Sequence, residues 1–354
     1  MRVLVGISGG VDSAVTALML KKQGYDIIGA MMKIYDGEYK NNIGNSCYAS
    51  DKSSDIADAK ANCDFIGCDF HLIDCAKEFH EKVFKIFKNE YLNARTPNPC
   101  TLCNPLIKFE VFPKKAQELG INFDKFATGH YAINEFDPQD GKFKLKRAKN
   151  PKKDQTYFLY ALTQEKLSKI LFPLGIFSKE EIRQYAQENN IPTAKKRDSQ
   201  DFYSGSYSQL LDVEQKKGEI IDKFGNVLGE HNGIHNYTIG QRKGLCIAYS
   251  EPLYVIELNS QKNQVIVSTK NDTYLQGVII DSINWIFLDK VDKKFEAKVK
   301  IRSTQEPQNC TVIPQGSQFK ILFETPQTLT AAGQSAVLYQ GDIVLGGGII
   351  EKTF

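Results

Sequence analysis

The chain has 354 residues, enough for two or three domains with separate cores; 42% are hydrophobic, 25% are charged, and the mean hydropathy is −0.35. Its net charge of +3 is too small to announce a nucleic-acid partner by itself, and no run approaches the roughly 20 apolar residues that span a bilayer. Gly9, Gly10 and Asp12 interrupt the N-terminal apolar run, so no signal-peptide h-region is expected there. A cytoplasmic location follows, and with it the expectation that the eight cysteines serve as thiols, ligands or catalysts rather than disulfides.

In chain order, Val3 to Ser8, five of its six residues apolar or Gly, reads as a buried strand and Asp12-Ser13 as the opening of an amphipathic helix, with Val15, Leu18 and Met19 on its apolar face. Ser8-Gly9-Gly10-Val11-Asp12-Ser13 lies between them. Two glycines at a strand-to-helix turn let backbone N–H groups approach a ligand closely; the helix N-terminus supplies partial positive charge and the serines supply hydroxyls. This is a pyrophosphate cradle. No Gly-x-x-x-x-Gly-Lys-Ser/Thr is present, which disfavours a kinase or GTPase. The motif resembles the PP-loop of ATP pyrophosphatases, which cleave ATP to AMP and pyrophosphate while adenylating an oxygen.

Tyr25 to Met32 reads as a second buried strand at βαβ spacing, which implies a parallel sheet. Residues 34–50 form a polar loop at its carboxyl end; a helix capped by Asp51 or Ser53 runs to about Phe65, and Asp69 to Asp74 is a strand. A helix from Ala76 to about Ala94 carries Phe79, Val83, Phe84, Ile86, Phe87 and Tyr91 at helical spacing, a stripe that reads as core. In Arg95-Thr-Pro97-Asn-Pro99-Cys100-Thr-Leu-Cys103-Asn104, two prolines fix the backbone and are expected to forbid helix, so Cys100 and Cys103 are expected on a rigid turn. A helix starting at Pro105 would place both sulfurs near its positive end and lower their pKa from about 8.5 toward about 3.5–7.5. Phe126 to Tyr131 is a further strand, followed by a hairpin around Pro138 to Gly141.

Charge then turns one-sided at Lys142, Lys144, Lys146, Arg147, Lys149, Lys152 and Lys153, and again at Lys195-Lys196-Arg197. Two basic clusters beside a nucleotide site favour a polyanion such as RNA over a merely solvated face. Beyond residue 205 short alternating strands with Gly, Asn and Asp turns take over. The chain is therefore read as α/β. A doubly wound parallel-sheet PP-loop domain spans residues 1–205, a small β-rich central domain 206–273 and a C-terminal β-barrel 274–354.

Together these stretches resemble the bacterial-type tRNA-specific 2-thiouridylase family along nearly the whole chain. The resemblance rests on Ser8 to Ser13, Arg95 to Pro99 with Cys103-Asn104, Ala127-Thr-Gly-His-Tyr131, Lys153-Asp-Gln155, His235 to Leu245, Gly333 to Val337 and Gly341 to Gly348. It implies that ATP adenylates the C2 oxygen of the wobble uridine in tRNAs for Lys, Glu and Gln, and that a protein persulfide then attacks C2. Reaching that base means taking it out of the anticodon stack. It also implies that Gly6, Ile7, Ser8, Gly9, Gly10, Val11, Asp12, Ser13, Met32 and Gly129 hold ATP, with Asp12 serving its magnesium. Asn98, Pro99 and Cys100 would then face the base, Lys153, Asp154 and Gln155 the tRNA, and Arg302 and Ser303 the tRNA from the barrel. The partners are tRNA, ATP and a persulfide donor, either a cysteine desulfurase or a sulfur carrier, with no membrane.

One position departs from the family. Its second cysteine follows Asp-Ser-Gln, whereas here Asp198-Ser-Gln200 is followed by Asp201, Phe202 and Tyr203, and no cysteine occurs between Cys103 and Cys246. Cys100, where many relatives carry Asp, offers compensation: Cys100 and Cys103 would act as a redox pair, with Cys103 indispensable. An iron–sulfur cluster is the competing use of these thiols, with Cys47 as third ligand, and is not favoured. Cys63, Cys68 and Cys75 read as buried thiols. His130 reads as structural, and the bland alternative for Asp12 is helix N-cap. The rival functions are another PP-loop AMP-forming ligase and a tRNA-binding protein that has lost thiolation.

Overall fold

The computed structural model describes residues 1–35, 46–48, 51–197, 202, 210–211 and 214–354. Tyr203 and the Asp198-Ser-Gln200 segment lie outside the described residues, as does most of the loop read at 34–50. Strand β1 (Arg2–Gly6) is the centre of a five-stranded sheet with β2 (Asp26–Lys33), β3 (Asp69–Asp74), β4 (Lys125–Ala127) and β7 (Ile170–Leu171). The strand order is β3-β2-β1-β4-β7 and every pairing is parallel. Alternation sorts the side chains: Leu4, Ile28 and Ala30 enter one core, while Val3, Val5, Ile27 and Met31 enter another on the opposite face. Helices α1 (Val11–Lys22) and α2 (Ser53–Ile66) make the crossovers from β1 to β2 and from β2 to β3. The chain runs from β1 to β2 on one side and returns as β4 on the other. The carboxyl ends of β1 and β4 therefore flank the point where strand order reverses, the position at which open α/β sheets bind ligands.

Ala76–Phe79, His80–Phe84 and Lys85–Leu92 run on as one helix with a π-helical middle. Phe79, Val83, Phe84, Phe87 and Tyr91 of the stripe are buried, whereas Ile86 faces solvent. The hairpin is β5 (Ile133–Asp137) and β6 (Lys142–Lys146), turning through Gly141 at φ +64°. It belongs to the C-terminal sheet as well as to its own domain, because Lys146 pairs with Ile343.

A four-stranded sheet, ordered β10-β11-β8-β9, forms the middle of the chain from β8 (Gly218–Asp222), β9 (Val227–His231), β10 (Tyr254–Asn259) and β11 (Gln264–Ser268). The last region is a closed six-stranded barrel of β12 (Tyr274–Trp285), β13 (Phe295–Lys300), β14 (Gln308–Gln315), β15 (Gln318–Thr328), β16 (Ser335–Gln340) and β17 (Ile343–Thr353). Strand β12 closes it by pairing with both β15 and β17. Register shifts at Leu275/Gly277, Ile279/Ile280 and Asp281/Asn284 break the two-residue alternation of β12. The barrel is joined to the N-terminal domain by buried polar contacts. Tyr157 Oη donates to the Ser335 carbonyl at 2.9 Å, and Asn284 Nδ2 donates to the Tyr160 and Leu162 carbonyls at 2.9 and 3.0 Å. Among the described residues no helix is long and apolar enough to cross a membrane.

Candidate functional site

The turn after β1 is shaped by its glycines. Gly9 has φ +76°, and a Cβ there would stand 2.4 Å from the Asp55 carbonyl oxygen of α2. Gly10 is the N-cap of α1 and offers no side chain to its first turn. The orphan N–H groups of that turn are thus left for an anion. Ser13 Oγ ties the loop together: it accepts from Ser8 N–H at 3.1 Å, donates to the Gly10 carbonyl at 3.1 Å and lies 3.2 Å from Ser8 Oγ. Gly129, just past β4, closes the other wall. A Cβ on it would meet the Asp12 carbonyl carbon at 2.9 Å and Ser13 N at 3.0 Å. Ile7 and Val11 are buried beneath the turn, and Met32 is half-buried at the end of β2. The residues read from the sequence as an ATP cradle, Gly6 to Ser13 with Gly129, are therefore gathered at the reversal point of the sheet.

Asp12 does not cap α1; Gly10 does. The Asp12 carboxylate instead holds Lys179 Nζ, at 2.7 Å from Oδ1 and 2.8 Å from Oδ2, and accepts from Tyr131 Oη at 2.9 Å. Lys179 is a buried cation at the positive end of the helix Lys179–Glu188, so the Asp12 charge offsets both its desolvation and the helix dipole. Tyr131 in turn exchanges two hydrogen bonds with Gln155, N–H to Oε1 at 2.8 Å and O from N–H at 3.0 Å. Sequence reasoning missed Lys179. The Ser178-x-x-Glu181 capping box signals its helix, but nothing local signals an ion pair across 167 residues. Above the cradle, Lys196 bridges Asp55 and Asp58 at 2.7 and 2.6 Å, with exposed Lys195 and Arg197 beside it.

The cysteine segment corrects two expectations. Pro99–Cys103 is already helical and continues through the π-helical Asn104–Val111 into Phe112–Glu118. Pro99 is compatible with helix because it occupies the first turn, where its missing N–H costs nothing. Asn98 is the N-cap, accepting from Cys100 N–H at 3.0 Å. Nor are the thiols acidified in the free chain. Burial pushes Cys100 up to about 11, with Cys47 adding to the rise; burial pushes Cys103 up to about 12, against the opposing pull of Lys108. The expected helix-end effect is outweighed because both residues are half-buried, with Cys103 packed against the apolar core. Burial, and secondarily Lys108, also holds His130 well below the usual imidazole range; its Nδ1 lies 2.7 Å from Thr128 Oγ1 and its ring packs beside Phe109 and Phe172. Among the described residues no three His, Cys, Asp or Glu side chains converge as a metal would require.

The barrel grips the start of this helix. Thr96 N–H donates to the Ala332 carbonyl at 2.8 Å, Gln334 Nε2 donates to the Thr96 carbonyl at 2.6 Å, and Arg95 meets Glu351 through two nitrogens at 2.8 and 2.9 Å. Of the residues read as tRNA contacts, Asp154 has its side chain fully buried, with Arg147 at 3.3 Å, Lys300 at 3.5 Å and Thr156 Oγ1 donating at 2.8 Å. That carboxylate is turned inward, joining the N-terminal domain to the barrel. The basic run is also largely spent internally: Lys142 pairs with Asp289, Lys144 with Asp137 and Asp140, and Lys146 with Glu135. Lys149 and Lys152 are exposed, and Lys153 is half-buried. Arg302 donates to the Leu329 carbonyl and lies against Gly240 of the middle region, with half-buried Ser303 next to it.

Three family descriptions match successive parts of the chain: a tRNA methyl transferase HUP domain over residues 1–203, a tRNA methyl transferase PRC-barrel domain over 211–269, and an aminomethyltransferase beta-barrel domain over 275–350. Full-length relatives carry a different name. The chain is 45% identical over 356 residues to the tRNA-specific 2-thiouridylase MnmA of Endomicrobium trichonymphae, covering 99% of both proteins. It is 42% identical over 364 residues to the MnmA of Halothermothrix orenii (100% of this chain, 99% of that one). To the MnmA of Acetivibrio thermocellus it is 40% identical over 361 residues, covering 99% of both.

Proposed function

The chain belongs to the tRNA-specific 2-thiouridylase family, and we propose that it installs sulfur at C2 of the wobble uridine in tRNAs for Lys, Glu and Gln, with ATP as co-substrate. The observation that carries this reading is one framework holding both chemistries: the glycine cradle at the β1/β4 reversal, and the Cys100–Cys103 helix whose start is gripped by the barrel. The cradle N–H groups and Ser8 and Ser13 hydroxyls suit the pyrophosphate of ATP, leaving the α-phosphorus to the uridine oxygen. Adenylation converts a poor leaving group into AMP. Magnesium would come with the nucleotide.

The sulfur step uses Cys103 as a persulfide. Its terminal sulfur bonds to C2 as the bond from C2 to the AMP oxygen breaks. The Cys100 thiolate then attacks the Cys103 sulfur, which releases 2-thiouridine and leaves a Cys100–Cys103 disulfide; a small-molecule dithiol reduces it for the next cycle. Asn98 and Pro99 present this turn, and Lys149, Lys152, Lys153, Lys195, Arg197, Arg302 and Ser303 are assigned to the tRNA backbone. A cysteine desulfurase or sulfur carrier in the cytoplasm supplies the sulfur. Incubation of unmodified tRNA with ATP and a persulfide, followed by nucleoside mass spectrometry, tests the proposal: 2-thiouridine and AMP are expected together. AMP with no 2-thiouridine would instead favour a different PP-loop ligase, and neither product would favour a tRNA-binding protein.

A further inference from the structure

Tyr131 joins the nucleotide cradle to the stretch that the family resemblance assigns to tRNA. It follows Gly129, the far wall of the cradle, by two residues and is buried. Its Oη donates to Asp12 Oδ1 at 2.9 Å, and Lys179 Nζ stands 6.0 Å from the centre of its ring. Its main chain is tied to Gln155: Tyr131 N–H donates to Gln155 Oε1 at 2.8 Å, and Gln155 N–H donates to the Tyr131 carbonyl at 3.0 Å. Asp12 lies in the first turn of α1, where a loose carboxylate would compete with phosphate for the orphan N–H groups. Among the described residues its hydrogen bonds go to Tyr131 and Lys179 instead. Lys179 already balances the charge; the phenol adds direction. The backbone around Gln155 is braced on its other side. Asp154 and Thr156 are buried and bonded to each other, and Phe158 N–H donates to the Gln155 carbonyl at 3.0 Å. Asn104 Nδ2, next to Cys103, donates to the Phe158 carbonyl at 3.2 Å. The half-buried Gln155 side chain is the part of this junction that a ligand can order.

We propose that Tyr131 and Gln155 are positioning residues that make ATP binding and tRNA binding cooperative. tRNA held along residues 153–155 orders the Gln155 side chain. Gln155 then fixes Tyr131, and Tyr131 keeps the Asp12 carboxylate clear of the N–H groups that take phosphate. ATP therefore meets a cradle whose ordering is already complete, and binds it more tightly. Linkage is reciprocal, so ATP tightens tRNA by the same factor. Neither residue makes or breaks a bond in the reaction. The inference rests on the thiouridylase reading, from which it takes tRNA as the second ligand.

The test uses the full-length chain, unmodified tRNA for Lys, and α,β-methylene-ATP, which cannot release pyrophosphate. Titration calorimetry gives the affinity for each ligand alone and with the other present. In the parent protein, saturating tRNA is expected to tighten analogue binding by about tenfold. Tyr131→Phe keeps the ring and both bonds to Gln155 and removes only the bond to Asp12. Its tightening should fall to about twofold or less, while tRNA binding alone stays within about twofold of the parent. Gln155→Leu takes the acceptor from the Tyr131 N–H and should lose the tightening too. A merely structural role would weaken each ligand alone and leave the ratio unchanged. Tightening in Tyr131→Phe or Gln155→Leu equal to that of the parent, or none in the parent, would overturn the proposal. Failure of the parent protein to release pyrophosphate from ATP with tRNA present would bring down the thiouridylase reading itself.

Discussion

The phosphate cradle and the thiol helix are both short segments at the start of a helix, yet they are built on opposite principles. At the cradle, backbone N–H groups and a left-handed glycine carry the geometry, so Ser8-Gly-Gly-Val-Asp-Ser13 specifies its own shape. At Asn98 to Cys103 the useful atoms are side-chain sulfurs, and their acidity depends on what packs against them. There the local prediction of an acidified thiol failed, because burial raises both pKa values. A site made of backbone is readable from its own residues; a site made of side chains is set by its neighbours.

The sharpest way to separate the two regions is Cys103→Ser. Thiolation is expected to fall by about a thousandfold or more while ATP-to-AMP conversion persists, read by nucleoside mass spectrometry against pyrophosphate release. If AMP formation fell equally, the two regions would not be distinct. Gly9→Ala attacks the other side, since a Cβ there meets the Asp55 carbonyl at 2.4 Å in a backbone conformation with φ +76°. Both AMP formation and thiolation should drop by about a hundredfold, with roughly 1–3 kcal/mol of strain visible in thermal unfolding.

Lys179→Met strands the Asp12 carboxylate, and about 3 kcal/mol of stability should be lost. An Asp12→Asn/Lys179→Met double variant should recover part of that loss, which a double-mutant cycle would quantify. Additive losses would remove the pair from the account of the cradle.

The smallest effect concerns pH. Cys100 and Cys103 titrate at about 11 and about 12, above their ordinary 9.0, so folding favours the protonated thiols. That stabilisation is complete below pH 9.0 and is lost as pH rises through 11 to 12. In the free chain, iodoacetamide should modify both slowly at pH 8, and faster by about tenfold per pH unit up to their pKa. Fast modification of Cys103 at neutral pH would restore the acidified thiol expected from the sequence.

The parallel sheet could be anticipated because a βαβ spacing forces parallel pairing, and the barrel because short alternating strands recur. How β12 closes the barrel, pairing with both β15 and β17 through register shifts, is a long-range matter that no local pattern announces. The helix at Pro99 was misread because a proline forbids a helix interior yet suits a first turn, and only the Asn98 cap distinguishes the two. Asp154, which the resemblance assigns to the tRNA, has its carboxylate buried beside Arg147 and beside Lys300 of the barrel, 146 positions away in the chain, a contact that its own stretch does not announce.

By itself the sequence determined the cradle, the order of domains and the presence of two thiols three residues apart, because each is encoded by local backbone preference or by spacing. Only the tertiary structure decided that Lys179 neutralises Asp12, that the barrel grips the cysteine helix, and that Asp154 is buried between the two domains. Those are contacts between segments far apart in the chain, brought together by shared burial, and burial is not written in any one of them.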